Sequence, residues 1–200
     1  MAEITAKMVR ELRGRTDIGM MDCKKALQET DGDFDAAVDF LRKKGLSAVQ
    51  KRAGRDANEG LVISYIHPGS RIGVLLEANC ETDFVARTED FQKFAKDVAM
   101  HVAAERPVSV AREDVDEAVV AHERSIYLEQ AKNEGKPEHI AEKIVAGRLE
   151  KFFQESCLLE QPFVKNPDQT INDLVTEMTA KVGEKVSLRR FSCFRLGESD

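Results

Sequence analysis

Leu61-Val62-Ile63-Ser64-Tyr65-Ile66-His67-Pro68-Gly69-Ser70-Arg71-Ile72-Gly73-Val74-Leu75-Leu76-Glu77-Ala78-Asn79-Cys80 decides the fold class. Both flanks are apolar and rich in β-branched residues, and Pro68-Gly69-Ser70 supplies a turn between them. The stretch therefore reads as a β-hairpin, with strands over Leu61 to His67 and Arg71 to Cys80. The residues before it have helical spacing, and more helical segments follow. That order of elements makes an α+β chain.

Upstream of the hairpin, Ile4, Met8 and Leu12 recur every four residues, with Val9 beside them, and mark one apolar helical stripe. Thr16-Asp17-Ile18-Gly19 interrupts it, and Met20, Cys23, Ala26 and Leu27 mark a second stripe. Asp31-Gly32-Asp33 is a turn, and Asp33 is placed to cap a third helix over Phe34, Ala37, Val38 and Leu41. Gly45 is the expected C-terminal stop of that helix. Three helices of this length form a compact bundle of the kind small binding modules use. The polar stretch from Lys51 to Gly60 reads as the end of a short helix and then a linker. The expected organisation is a three-helix domain over 1–55 and an α+β core over 56–200.

Downstream, Thr88 can cap a helix carrying Phe91, Phe94, Val98 and Val102. A long charged helix is expected near Glu113 to Gln130, then Gly135-Lys136-Pro137, then a helix bearing Ile140, Ile144, Leu149 and Phe152 with Pro137 in its first turn. Pro162 and Pro167 bound an irregular segment, and Thr170 caps a helix through Met178 that Gly183 closes. Val186 to Leu196 reads as a last strand, which with the hairpin makes a small antiparallel three-stranded sheet packed with helices. In that strand Val186 and Leu188 share a parity with Phe194 and Leu196, whereas Phe191 and Cys193 lie on the other. Apolar groups on both faces need two covers: the domain's own helices, and either a bulge that shifts register or a partner subunit.

Composition excludes several classes. The 200 residues carry a net charge of −6, with +3 on residues 1–55 and −9 on the remainder. An acidic chain with no Trp and two Tyr is a poor direct binder of nucleic-acid phosphates or stacked bases. No apolar run has the length of a membrane span, and Met1 to Arg10 lacks the pattern of a signal peptide. Cys23, Cys80, Cys157 and Cys193 form no CxxC and are spread too widely for a small disulfide framework, so they read as reduced thiols of a cytoplasmic protein. His67, His101, His122 and His139 have no zinc-site spacing, and they read as structural or surface residues. No phosphate-cradling glycine loop, dinucleotide fingerprint or nucleophile elbow is present. Cys80 follows a strand, but no His or Asn is placed by sequence to activate it, so a buried thiol is favoured over a nucleophile. The expectation is no enzyme, no metal and no cofactor.

Two segments do not fit a plain structural reading. In Gly19-Met20-Met21-Asp22-Cys23-Lys24-Lys25-Ala26-Leu27, adjacent methionines at a helix start cannot both face one core. Met suits an adaptable contact surface, although both could pack against the next loop. In Glu81-Thr82-Asp83-Phe84-Val85-Ala86-Arg87, between a strand and a helix, Phe84 is either a core anchor or a protruding wedge. Because most Phe are buried, composition favours the anchor.

These two segments carry a resemblance to the bacterial translation elongation factor Ts family. The Gly19 to Leu27 run is similar to that family's N-terminal signature, and Cys80-Glu81-Thr82-Asp83-Phe84-Val85-Ala86 to its second signature, whose mark is Thr-Asp-Phe-Val. Gly135-Lys136-Pro137 and Gln161-Pro162-Phe163-Val164 also look like the family, and the resemblance covers nearly the whole chain. The family usually has Thr-Gly before Gly-Met-Met; here Asp17 stands where that flexible glycine is usual.

The resemblance implies a guanine nucleotide exchange factor for elongation factor Tu, able to bind it both GDP-loaded and nucleotide-free. Exchange in the family is driven by binding, without covalent chemistry. Mg²⁺ bridges the GDP phosphates to the partner, and a factor that deforms this site and the nucleotide weaken each other's binding reciprocally. The role of dislodging Mg²⁺ falls on Thr82, Asp83, Phe84 and Val85. Burying Phe84 as a wedge in the partner is worth about 1.5–3 kcal/mol, a roughly 10–150-fold effect on coupling. The N-terminal bundle resembles a ubiquitin-associated-like domain, which docks on the partner, with Met20 and Met21 as implied contacts. Longer members carry two related core subdomains and this chain shows one, which implies a homodimer with Val186 to Leu196 at its seam. The alternative is a non-catalytic adaptor that binds peptides or ubiquitin-like folds through the bundle.

Overall fold

The computed structural model describes residues 4–16, 18–52 and 54–198; Asp17 of the signature loop lies outside the described residues. The architecture is α+β, as the hairpin requires. The first three helices are α1 (Ala6–Thr16), α2 (Met20–Glu29) and α3 (Phe34–Arg52). They enclose a small core of their own, made by Val9, Leu12, Cys23, Ala26, Leu27, Ala37 and Leu41, with Ile4, Met8, Ile18, Phe34, Val38 and Phe40 packed around it. The turn before α3 puts Asp31 and Gly32 at positive φ, +49° and +86°. Asp33 then caps α3, its Oδ1 accepting from the Asp35 and Ala36 amides at 2.9 and 3.0 Å.

Gly45 does not end α3, which runs on to Arg52. A methyl group placed on Gly45 would lie 3.5 Å from Thr176 Cγ2 and 3.7 Å from Ala180 Cβ, both on helix α8 (Ile171–Val182). The glycine therefore marks a close helix crossing. Burial against α8 carries the helix past a residue of low helical propensity.

The hairpin forms as β1 (Glu59–Ile66) and β2 (Ile72–Cys80), with Gly69 at φ +93° in the turn. It joins β5 (Ser187–Arg195) in a three-stranded antiparallel sheet of order β1-β2-β5. Val74, Leu76 and Ala78 of β2 and Leu188 of β5 are buried. At Gly60, with φ of +143°, an added methyl would sit 2.2 Å from the Ala78 carbonyl oxygen, so only glycine allows the backbones this approach. Along β5, the guanidinium groups of both Arg189 and Arg190 reach Glu77, at 3.7 and 2.7 Å.

Between these strands lie α4 (Asp83–Ala86), α5 (Glu89–Glu105), α6 (Glu117–Asn133) and α7 (Glu138–Ser156). Thr88 caps α5 through Phe91 N–H at 3.3 Å, and Phe91, Phe94, Val98 and Val102 are buried as expected. The charged helix starts later than expected, at Glu117, because Asp116 supplies the cap to Ala118 N–H at 2.8 Å. Pro137 is the N-cap of α7 and lies just outside its first turn. The buried residues of α7 are Ala141 and Val145, and Ile140 is exposed, one position off the expected stripe. Arg112, in a 3₁₀ turn, binds Glu150 of α7 through two bonds of 2.8 and 2.7 Å, also binds Glu160, and lies 4.8 Å over the Phe153 ring. These two carboxylates hold its guanidinium far above its already high ordinary range. The expected irregular segment contains a short hairpin, β3 (Pro162–Phe163) with β4 (Asn166–Thr170).

The chain divides into two compact units. One takes the chain up to Leu61 with Ala78–Phe94 and Asp173–Ser187; the other takes Val62–Glu77, Ala95–Asn172 and the chain from Leu188 onward. His101 lies fully buried in the second. Its Nδ1 accepts from the Val164 amide at 3.3 Å, so Nε2 carries the proton and donates to Gln161 Oε1 at 3.0 Å. Gln161 in turn donates to the carbonyls of Glu105 and Glu155.

This arrangement needs a neutral imidazole. Burial lowers the His101 pKa below its ordinary 6.5, against smaller opposing effects of Gln161 and Glu105. The unfolded chain therefore takes up a proton below about pH 6.5 that the folded chain refuses. The stabilisation is complete above that pH and is lost as pH falls, by at most about 1.4 kcal/mol per unit. Denaturant midpoints between pH 7.5 and 5 should fall more steeply for the natural chain than for His101→Gln.

Candidate functional site

The loop after β2 is built from a strand end, one helical turn and the residues that leave α8. Thr82 has extended backbone angles and starts α4, with its hydroxyl accepting from Val85 N–H at 3.5 Å. The same hydroxyl donates to Glu184 Oε1 at 2.7 Å, and the Thr82 amide donates to Glu184 Oε2 at 3.0 Å. One carboxylate thus grips one residue twice. Glu81 makes a parallel connection, accepting from the Lys185 amide at 2.6 Å and from Arg55 Nη1 at 3.1 Å. The Lys185 amide, then Arg55, hold the Glu81 carboxyl below its ordinary pKa. Lys185 Nζ reaches back to the Arg55 carbonyl at 2.8 Å.

Gly183 makes this geometry possible. It ends α8 at φ +74° with its amide on the Thr179 carbonyl, and so turns the chain to present Glu184 and Lys185 in succession.

On this braced turn Phe84 is 78 % exposed. The expected core anchor is therefore incorrect. The buried residue of the turn is Ala86, and Phe91 of α5 is fully buried. Asp83 pairs with Arg87 at 2.7 Å, one turn later on the chain. Thr82, Asp83 and Val85 are half-buried, so Phe84 alone of the four projects fully. Cys80 is buried, donates to the Thr82 carbonyl at 3.1 Å, and has its thiol pKa pushed up by burial and by nearby Glu184. A raised pKa opposes thiolate formation, which a nucleophile needs.

The second segment opens α2. Met20 and Met21 are both exposed, Met21 at 77 % and Met20 at 40 %. Cys23 fills the core beneath them, donating to the Ile18 carbonyl at 3.4 Å, and Asp22 pairs with Lys44 of α3 at 2.5 Å. No group of His, Cys, Asp and Glu able to hold a metal ion occurs among the described residues. No helix among them is long and apolar enough to cross a membrane. Sequence reasoning did not single out Glu184, Lys185 or Arg55. Their signal is faint: a charged pair directly after a helix-ending glycine.

Comparison with known proteins bears on both segments. A family model described as elongation factor TS matches residues 46–198. Proteins named elongation factor Ts are similar along nearly the full chain. That of Carboxydothermus hydrogenoformans is 60 % identical over 195 residues, covering 98 % of this chain and 90 % of the relative. That of Syntrophobacter fumaroxidans is 58 % identical, covering 98 % of each. That of Moorella thermoacetica is 60 % identical, covering 98 % and 96 %.

An exposed Phe contributes little to folding. Phe84→Ala should keep the unfolding free energy within about 0.5 kcal/mol of the natural chain in urea titrations; a loss of several kcal/mol would return Phe84 to the core.

Proposed function

Because the chain belongs to the elongation factor Ts family, we propose that it is the guanine nucleotide exchange factor for elongation factor Tu, acting in the cytoplasm. A member of this family is a translation elongation factor. The finer reading is that it binds elongation factor Tu–GDP, disturbs the Mg²⁺ and phosphate site, and promotes replacement of GDP by GTP. The observation that carries it is the exposed Phe84 on a turn fixed by polar bonds. An aromatic ring left in water gains free energy on entering a pocket, and a fixed ring spends little entropy in doing so. The chemistry asked of this chain is binding alone: Phe84 inserts, while Thr82, Asp83 and Val85 shape and flank the insertion. Because binding is reciprocal, the empty partner holds the factor more tightly than the GDP-loaded one does, until GTP returns.

Residues 1–55 serve as the ubiquitin-associated-like docking domain, with Met20 and Met21 as contacts, and residues 56–200 as core and dimerisation domain. The self-contained core of the bundle supports this role, as do its two solvent-facing methionines. The charge division, +3 against −9, suits docking and core surfaces of different electrostatic character.

A homodimer is the second part of the proposal. Val62 and Ile66 of β1, Leu75 of β2 and Phe194 of β5 are exposed, together with Leu196 just beyond. Ile66, Ile72, Gly73, Phe194 and Leu196 also line a shallow depression of about 270 Å³. So much apolar surface on one small sheet suits a self-complementary seam.

Release of fluorescent GDP from elongation factor Tu tests the first part. The natural chain should accelerate it, and Phe84→Ala should lower the maximal rate about 10-fold or more. Met21→Glu should instead raise the half-saturating concentration. An adaptor without exchange activity would leave GDP release at its basal rate. Light scattering tests the seam: the mass should be twice that of one chain at micromolar concentration, and a clean monomer would remove the proposal.

A further inference from the structure

We infer that Glu184 is a positioning residue for nucleotide exchange, acting through Thr82 to hold the turn that presents Phe84. The inference rests on the exchange reading given above. A four-residue helix has no stability of its own, and α4 carries a side chain that is out in solvent. Something else must hold it. The two bonds from Thr82 to Glu184 do so in a particular way. The hydroxyl has a single proton, which goes to Glu184 Oε1, so a lone pair is left to face the Val85 amide. Glu184 thereby fixes the rotamer of the residue that caps α4. The amide bond to Oε2 fixes the backbone at the same residue.

The neighbouring Glu81 and Lys185 repeat the connection, so the dipeptide 81–82 is joined to the dipeptide 184–185 at both positions. None of these bonds buries apolar area. Their loss loosens the turn without opening a core.

The test is a cycle of full-length variants, Glu184→Ala, Thr82→Val and the double variant, in the GDP-release assay, with Glu184→Gln as the conservative partner. The expected result is an approximately 10-fold lower maximal rate for Glu184→Ala at a nearly unchanged half-saturating concentration. Thr82→Val should lose a similar amount, and the double variant no more than either single. Glu184→Gln, which keeps an acceptor for the hydroxyl, should recover part of the rate. Natural rates for Glu184→Ala, multiplying losses in the double variant, or a loss confined to half-saturation would overturn the inference. Amide exchange gives an independent readout. Thr82 to Val85 should lose protection in Glu184→Ala while α5 keeps its own; unchanged protection would refute the clasp. Failure of the natural chain to accelerate release would refute the exchange reading, and amide exchange would still decide the clasp.

Discussion

Glu184 and Thr82 are far apart in sequence, yet two hydrogen bonds of 2.7 and 3.0 Å join them, and the presenting surface depends on this pair. A protruding aromatic residue faces a conflict. The burial that would fix it in place is the burial it must leave undone to be available to a partner. Here the conflict is resolved by polar contacts behind the ring. Charge-assisted bonds from an amide and a hydroxyl to one carboxylate are directional and short. They order a turn without hiding its apolar tip. Phe84 thus remains 78 % exposed on a backbone that is not free to wander.

The same network reaches the end of the helical bundle. Arg55 follows α3, binds Glu81 with its guanidinium and receives Lys185 on its carbonyl. Gly45 lets α3 lie close to Thr176 and Ala180 of α8, and α8 ends at the glycine that delivers Glu184. The helical bundle, the braced turn and α8 are therefore parts of one compact unit. In the proposed function, that arrangement lets binding through Met20 and Met21 be accompanied by insertion of Phe84.

Much of this was legible in the sequence because the relevant signals are local. The hairpin, the Asp33 and Thr88 caps and the Gly183 stop each depend on residues within a few positions of one another. The misreadings have a common origin in contacts between distant segments. Gly45 resembles a helix stop until α8 is seen against it. Phe84 resembles a core residue by composition, and only the folded turn shows that it is left in solvent. Ile140 belongs to an apolar stripe by spacing, but it is exposed, and the buried residues of α7 are Ala141 and Val145. The clasp left only a faint trace, a charged pair after the Gly183 stop, because its other half lies 102 positions away at Thr82. The family resemblance identified Thr82 to Val85 together; the structure separates the residue that projects from the one that is gripped.

The central claim is that insertion at this turn acts on the partner's Mg²⁺ site. The most direct measurement compares GDP release from elongation factor Tu, with and without this chain, in millimolar Mg²⁺ and again after chelation of the metal. Where Mg²⁺ has already been removed, one of the contacts the factor must break is gone. The account predicts a smaller fold-acceleration by the natural chain in chelator, and a smaller deficit for Phe84→Ala. An acceleration of the same factor in both conditions, with the Phe84→Ala deficit unchanged, would contradict it.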